Sequence, residues 1–350
     1  MLFGLGKKKL LGLDIGSSTI KIAEVTQNKK GVVLESFGMI PTPPQATSGG
    51  EIVDPVLISE SVRRLLDDLK SKRKHIAAGL WGSSVIVKRI SIPRMDEALI
   101  SEQIRWEAEQ YIPYDINEVN LDYKILSFDS PGDTMDILLI AAIQEMIFNI
   151  AELVTGAGMN CAVLDVESFA LANCFEANYG IQSGETIGLL NVGASVTNFA
   201  VVESGEVIFC RDMPLGGLLY TNEISKSMGI SMTEAEGLKI SMGVDQATPE
   251  EVSAIISATH DMMAEELGSS IEFFQNTTAE SELSKVYVTG GGSKVYGFLE
   301  SMANVVSCEK MDPFLLIGTN SKFFTPDYIE QIQDFCSISL GLGMREVGDT

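Results

Sequence analysis

LGLDIGSSTIKIAEV, residues 11–25, runs apolar, breaks at Asp14, Ile15, Gly16, Ser17 and Ser18, and runs apolar again. That pattern predicts two strands joined by a tight turn bearing a carboxylate, a glycine and two hydroxyls. Taken alone, such a turn is ordinary hairpin architecture. IGLLNVGASVTNFAVVESGEV, residues 187–207, repeats it, with Asn191 in the place of Asp14, Gly193 in that of Gly16 and Ser195 in that of Ser18. An internal repeat decides the architecture before any single element does. Two lobes carrying the same hairpin can close on a ligand between them.

The chemistry of the two turns suits phosphate. Glycine lets backbone N–H groups approach an anion, and the hydroxyls of Ser17, Ser18, Ser195 and Thr197 add donors without bulk. A carboxylate on the same turn repels phosphate unless a cation intervenes, so Asp14 implies Mg²⁺ held through water, with Lys21 as a point charge for phosphate. For that role Lys21 must face the cleft; the alternative is an exposed strand lysine. A third segment, VYVTGGGSKVYGFLESM over residues 286–302, reads as a buried strand, three glycines and a helix whose N-terminus offers free donors.

Length and composition bound the rest. A chain of 350 residues exceeds what one core organises, so two lobes are expected. With 25 Lys+Arg against 48 Asp+Glu the formal charge is -23, a field that repels nucleic acid and anionic lipid. An anionic ligand must therefore be held by local devices. Five widely spaced cysteines in apolar contexts indicate neither a disulfide framework nor a zinc site, which fits a reduced cytoplasm. No run is long enough to span a bilayer. The opening MLFGLGKKKLLGLD lacks a cleavage-type tail and reads as a solvated basic patch at a frayed terminus, not a secretory signal.

Between the hairpins, a partner strand is expected near residues 31–40 and a Pro/Gly/Ser-rich surface loop over 41–51. A helix follows from the capping Asp54 with Pro55 in its first turn. A second helix is expected over 96–111 and a third from Gln144. The strand-helix-strand-strand-helix passage over about 85–157 reads as an inserted module. His75 and His260 fall in no motif and read as surface helix or turn residues.

Together these segments resemble the actin-like ATPase superfamily. Within it, LGLDIGSSTIKIAEV, SIPRMDEALISEQIRWEAEQYIPYD with DILLIAAI, LDVESFALANCF, TEAEGLK, VYVTGGGSKVYGF and SISLGLGMRE resemble the PilM family of type IV pilus assembly proteins, relatives of the division protein FtsA. The resemblance implies an α/β, two-lobed actin-like fold of duplicated ribonuclease-H-like domains with an FtsA-type 1C subdomain. Its expected parts are residues 1–84, 158–182 and 332–350 for the first lobe (1A), 85–157 for 1C, and 183–331 for the second lobe (2A/2B). It also implies ATP and Mg²⁺ as cofactors. Asp14, Gly16, Ser17, Ser18 and Lys21 would form the first phosphate loop, and Asn191, Gly193, Ala194, Ser195 and Thr197 the second. Glu167 would position the attacking water, Glu236 and Lys239 would contact ribose and adenine, and Gly290, Gly291, Gly292 and Ser293 would form the adenine turn. Thr233 and Glu236 also have capping-box spacing, which needs no ligand.

Many superfamily ATPases carry an acid where Asn191 stands; an amide orients water but takes no proton, so slow or absent hydrolysis is expected. The resemblance implies a cytoplasmic scaffold at the inner membrane that binds the N-terminal cytoplasmic peptide of PilN beside 1C and links it to other inner-membrane and motor components. Membrane contact would be indirect. Residues 106–121 offer groove material, although Trp106 and Tyr111 also suit core packing. The competing reading is a working enzyme, either a small-molecule kinase, for which Asp165 and Glu167 are the acids near the acceptor, or an active or filament-forming ATPase.

Overall fold

The computed structural model describes residues 9–29, 31–130, 133–243, 249–277, 282–320 and 322–348. Most of the N-terminal basic patch, and Pro131 and Gly132 of the turn within the insertion, lie outside them.

The opening motif forms β1 (Leu11–Ile15) and β2 (Thr19–Asn28), and β3 (Gly31–Pro41) completes an antiparallel meander. After the small hairpin of β4 (Thr47–Ser48) and β5 (Glu51–Ile52) comes α1 (Pro55–Leu69), whose cap Asp54 accepts from the N–H groups of Val56 and Leu57 at 3.1 Å each. It delivers the chain to β6 (His75–Leu80), parallel to β1. Next come β7 (Val85–Pro93), α2 (Glu97–Glu109), β8 (Val119–Ser130) and β9 (Thr134–Ile143), and then α3 (Gln144–Gly156), β10 (Asn160–Val166) parallel to β6, and α4 (Glu167–Tyr179).

The second meander is β11 (Thr186–Val192), β12 (Thr197–Glu203) and β13 (Glu206–Met213). Three helices, α5 (Gly217–Met228), α6 (Met232–Ser241) and α7 (Glu250–Thr277), lead to β14 (Lys285–Thr289), parallel to β11. After α8 (Phe298–Met302), β15 (Cys308–Lys310) lies parallel to β14. The chain ends its path through β16 (Gly318–Thr319), α9 (Pro326–Ile332) and α10 (Ser337–Gly343).

The sheet orders β10-β6-β1-β2-β3 and β15-β14-β11-β12-β13 are the same topology with the same strand senses. The sequence repeat is therefore a repeat of whole sheets. α4 and α10 lie between them: one core joins Leu10, Ala23 and Leu34 of the first lobe to Leu171 and Leu340 of these helices and to Ile187, Leu189 and Ala200 of the second. The outer face of the first sheet is covered by α1 and α3, and that of the second by α5 and α7. Glycines allow the tight crossing. A Cβ on Gly341 would lie 1.8 Å from the Ala170 carbonyl oxygen of α4, and one on Gly12 2.0 Å from that of Ser339.

The inserted module forms its own sheet, β7-β9-β8, with Ile100, Ile104 and Ala108 of α2 packed on it. The expected insertion over 85–157 includes α3, but Ile150, Leu153 and Val154 of α3 pack with Ile58 and Val62 of α1 in the first lobe. Parallel β6 and β10 require a crossover, and α3 is that crossover helix. The chain also rejoins the first sheet earlier than the expected boundary at 332, where β16 pairs with β3.

Two local expectations change as well. The glycine run after β14 opens a 3₁₀ turn, Gly291–Lys294, which ends at extended Val295 before α8. His260 is buried on α7, where Tyr220 Oη lies 2.7 Å from Nδ1 and the Tyr296 carbonyl 3.0 Å from Nε2. Burial holds this imidazole below its usual pKa. His75 opens β6. Among the described residues no helix is long and apolar enough to cross a membrane.

Candidate functional site

The two hairpins have matching geometry. Gly16 N donates to Thr19 O at 3.1 Å, and Gly193 N to Val196 O at 3.0 Å. Across each ladder Asp14 faces Lys21 and Asn191 faces Asn198. Lys21 is buried, with Nζ 3.0 Å from Asp14 Oδ2, and its ammonium lies under the turn: a Cβ on Gly16 would be 2.9 Å from it. Thr42 fixes the turn by donating from Oγ1 to Gly16 O at 2.6 Å and from its N–H to Ser18 O at 2.9 Å. Ser17 is half-buried on this turn and Ser18 exposed, while Ala194 and Ser195 are half-buried on the other.

Glu167 joins the two halves. It opens α4, directly after β10, and its carboxyl is buried. Burial raises its pKa well above the ordinary range, and the charges of Asp14 and Asp212 add to the rise, while Lys21 and a hydrogen bond from Asn198 oppose it. One carboxyl thus senses the acid of each lobe. On the second-lobe side runs a polar chain: Asn191 Nδ2 donates to Asn198 Oδ1 at 2.8 Å, and Asn198 Nδ2 to Asp212 Oδ1 at 2.9 Å. Asp212 Oδ2 accepts from the N–H of Gly82 at 2.6 Å. Burial raises the Asp212 pKa, with the bonds from Asn198 and Gly82 opposing it. Sequence reasoning missed Asn198 and Asp212, although cross-strand register from Asn191 leads to both.

Bare backbone floors the second half of the cleft. Gly217 N donates to Gly193 O at 2.9 Å and Leu218 N to Ala194 O at 2.8 Å, tying the hairpin to the start of α5. A Cβ would lie 2.5 Å from Gly193 O if placed on Gly216, 2.7 Å from the same atom on Gly292, and 2.4 Å from Val192 O on Gly290. A Cβ on Gly291 would meet the Phe335 ring at 2.4 Å. Gly216 and Gly217 were missed by sequence reasoning; the Gly-Gly step between a strand and a helix was the available signal.

Several expected donors are already committed. Thr197 is fully buried and donates to Leu215 O at 2.7 Å, so its hydroxyl braces the start of β12 instead of facing the cleft. Ser293 Oγ donates to Gly290 O at 2.7 Å. Lys239 directs its ammonium at Gly217 O (3.1 Å), Thr221 Oγ1 (3.0 Å) and Glu236 Oε2 (2.7 Å), which accounts for its three protons. It pins α6 to α5. The capping box of α6 is Ser231 with Glu234, not Thr233 with Glu236: Glu234 N donates to Ser231 Oγ at 3.2 Å, and Ser231 N to Glu234 Oε2 at 3.0 Å. Glu236 is thereby free of helix capping, and its side chain is 41% exposed beside Lys239.

Asp165, on β10, lies 3.5 Å from Arg345 Nη1, away from the role of a free base. Trp106 is 77% exposed on α2, which overturns its reading as a core residue, whereas Tyr111 packs on the core of the insertion beneath Lys88.

Against known families, the profile of the type IV pilus assembly protein PilM matches residues 12–347. The chain belongs to the PilM family. A solved structure of a PilM–PilN type IV pilus biogenesis complex is similar to this family member over 98% of the present chain and 100% of that one, with 28% identity and a TM-score of 0.87. Cell division protein FtsA of Bacillus subtilis is 24% identical over 276 residues, 69% of this PilM-family chain, which spans 60% of the length of that relative. MreB5 of Spiroplasma citri, solved with ADP, shares the fold at 12% identity and a TM-score of 0.53, over 93% of this chain and 99% of that one. The actin-like architecture is thus common to the family and its distant relatives.

Proposed function

We propose that the chain is an ATP-binding scaffold of the type IV pilus machine, in which nucleotide sets the relation of the lobes. The observation that carries this reading is the pair of hairpin turns in equal register, joined through Glu167 and floored by glycines whose substitution would strike backbone. Such a floor admits a phosphate chain to backbone N–H groups and excludes side chains.

The N–H groups at Ser17 and Ser18 and at Ala194 and Ser195, with the Lys21 ammonium beneath, suit the phosphates, while the N–H groups of Gly16 and Gly193 close the turns themselves. Glu236 and the turn from Gly290 to Ser293 suit the ribose and base. Among the described residues no group of three or more His, Cys, Asp or Glu side chains is arranged to hold a metal ion, so Mg²⁺ would come with the nucleotide and meet Asp14 through water. When bound, it would neutralise phosphate charge. Asn191 donates its amide to Asn198 and supplies no base, so slow or absent hydrolysis is expected. The kinase alternative loses support from the Asp165–Arg345 pair.

The relative solved as a PilM–PilN complex supports a PilN protein as the partner, with its N-terminal cytoplasmic peptide as the proposed contacting segment. The inserted module, with Trp106 exposed on α2, is the proposed contact side, at the inner face of the membrane, where the scaffold would meet other pilus and motor components. Titration calorimetry with Mg-ATP and with that peptide tests the reading. Expected are binding of both, at least about tenfold weaker nucleotide affinity in Asp14→Ala, and turnover far below the ~10 per second of a typical enzyme. Failure of the wild type to bind Mg-ATP overturns it.

A further inference from the structure

We propose that Asp212 is a positioning residue that carries the state of the nucleotide cleft to the inserted sheet; the inference rests on the nucleotide reading above. The polar chain through it is continuous. At the cleft end, Asn198 gives one amide proton to Asp212 and lies beside the Glu167 carboxyl, while its oxygen receives Asn191. Both its amide nitrogen and its oxygen are engaged, and Asn198 is 2% exposed, so no solvent replaces a lost partner. At the far end, Asp212 takes the N–H of Gly82, the residue that leads from β6 into the insertion. The next residue, Ser83, receives the Tyr114 hydroxyl of the insertion at 2.9 Å.

Gly82 has φ +76, a conformation that L side chains rarely adopt, so this entry turn is held by its bonds and not by a side chain packed beneath it. β13, which carries Asp212, also runs against β7, and Lys124 of β8 pairs with Glu206 at the start of β13. The inserted sheet therefore leans on the second lobe as well as growing from the first. A ligand that draws Glu167 or Asn191 toward itself shifts Asn198, and the carboxylate of Asp212 must follow or release Gly82. Linkage makes the effect reciprocal: whatever grips the insertion alters nucleotide affinity by the same factor.

Hydrogen exchange of the full chain over residues 82–93, with and without Mg-ATP, tests this. Asp212→Asn keeps the shape but offers one acceptor oxygen where two donors arrive, so it breaks one link. Lys124→Ala cuts only the exposed ion pair. In wild type and Lys124→Ala, Mg-ATP is expected to change exchange in this segment by about twofold or more. In Asp212→Asn that change is lost, while calorimetry still registers Mg-ATP binding. If Asp212→Asn does not fold, Asn198→Ala cuts the chain one residue nearer the cleft and carries the same expectation. Retention of the change in a folded Asp212→Asn, or its absence from a wild type that binds Mg-ATP, overturns this inference alone. A wild type that does not bind Mg-ATP overturns the nucleotide reading and this one with it.

Discussion

Glu167 keeps a buried carboxyl between two other acids, and that arrangement costs stability. Its folded pKa is raised, so the folded state holds the proton longer than the unfolded one, and stability falls as pH rises from the ordinary carboxylate range through the folded value. Glu167→Gln removes the fall. In ligand-free denaturant titrations the variant is expected to be more stable at pH 8, by on the order of 1 kcal/mol or more, with the gain shrinking toward pH 4. Ser231→Ala is expected to cost about 1 kcal/mol and Thr233→Ala only a few tenths, since Ser231 holds the cap of α6. The spacing of Thr233 and Glu236 misled because a capping box is defined by where the helix starts, and SMTEAEG offers two starts two residues apart. The hairpins that carry Asp14, Gly16 and Lys21 and Gly193 were legible because their motif is local. Asp212 was not: it reaches the cleft only across the ladder of β11, β12 and β13.

Helices and strands with local signals were read close to their observed bounds: Asp54-Pro55 starts α1, and the helices expected over 96–111 and from Gln144 are α2 and α3. Their membership was harder. α3 follows the insertion in sequence yet serves the first lobe, and β16 adds to a strand nearly 300 residues earlier, facts that only topology determines. Where elements cross, tolerance is low. Gly341→Ala places a methyl against the backbone of α4, so a loss of about 3 kcal/mol or more is expected, read as a large drop in thermal midpoint. At the junction of α5 and α7, Tyr220→Phe removes the partner of His260 Nδ1 and should cost about 1 kcal/mol. Because burial lowers the His260 pKa, the unfolded chain protonates first on acidification. Its contribution is present above about pH 6.5 and is lost as pH falls toward the folded value. Urea titrations at pH 7.5 and 5.5 check the sign, and His260→Gln should flatten that difference.

Over the whole molecule a charge of -23 opposes compaction, and the two lobes share that burden. Raising ionic strength from about 20 to 300 mM is expected to lift the thermal midpoint by a few degrees, by screening this repulsion. The two-lobed plan was legible because duplication leaves a repeat in the sequence, whereas the shared core was not, since ISLGLG carries no strong amphipathic period and lies among buried neighbours. That shared core also imposes an order in time. α10 packs against β1 and β2, so one of the helices that cover these strands is synthesised long after them. Until then one side of the opening meander stays uncovered, so the nascent first lobe is expected to expose apolar surface of the kind that chaperones bind.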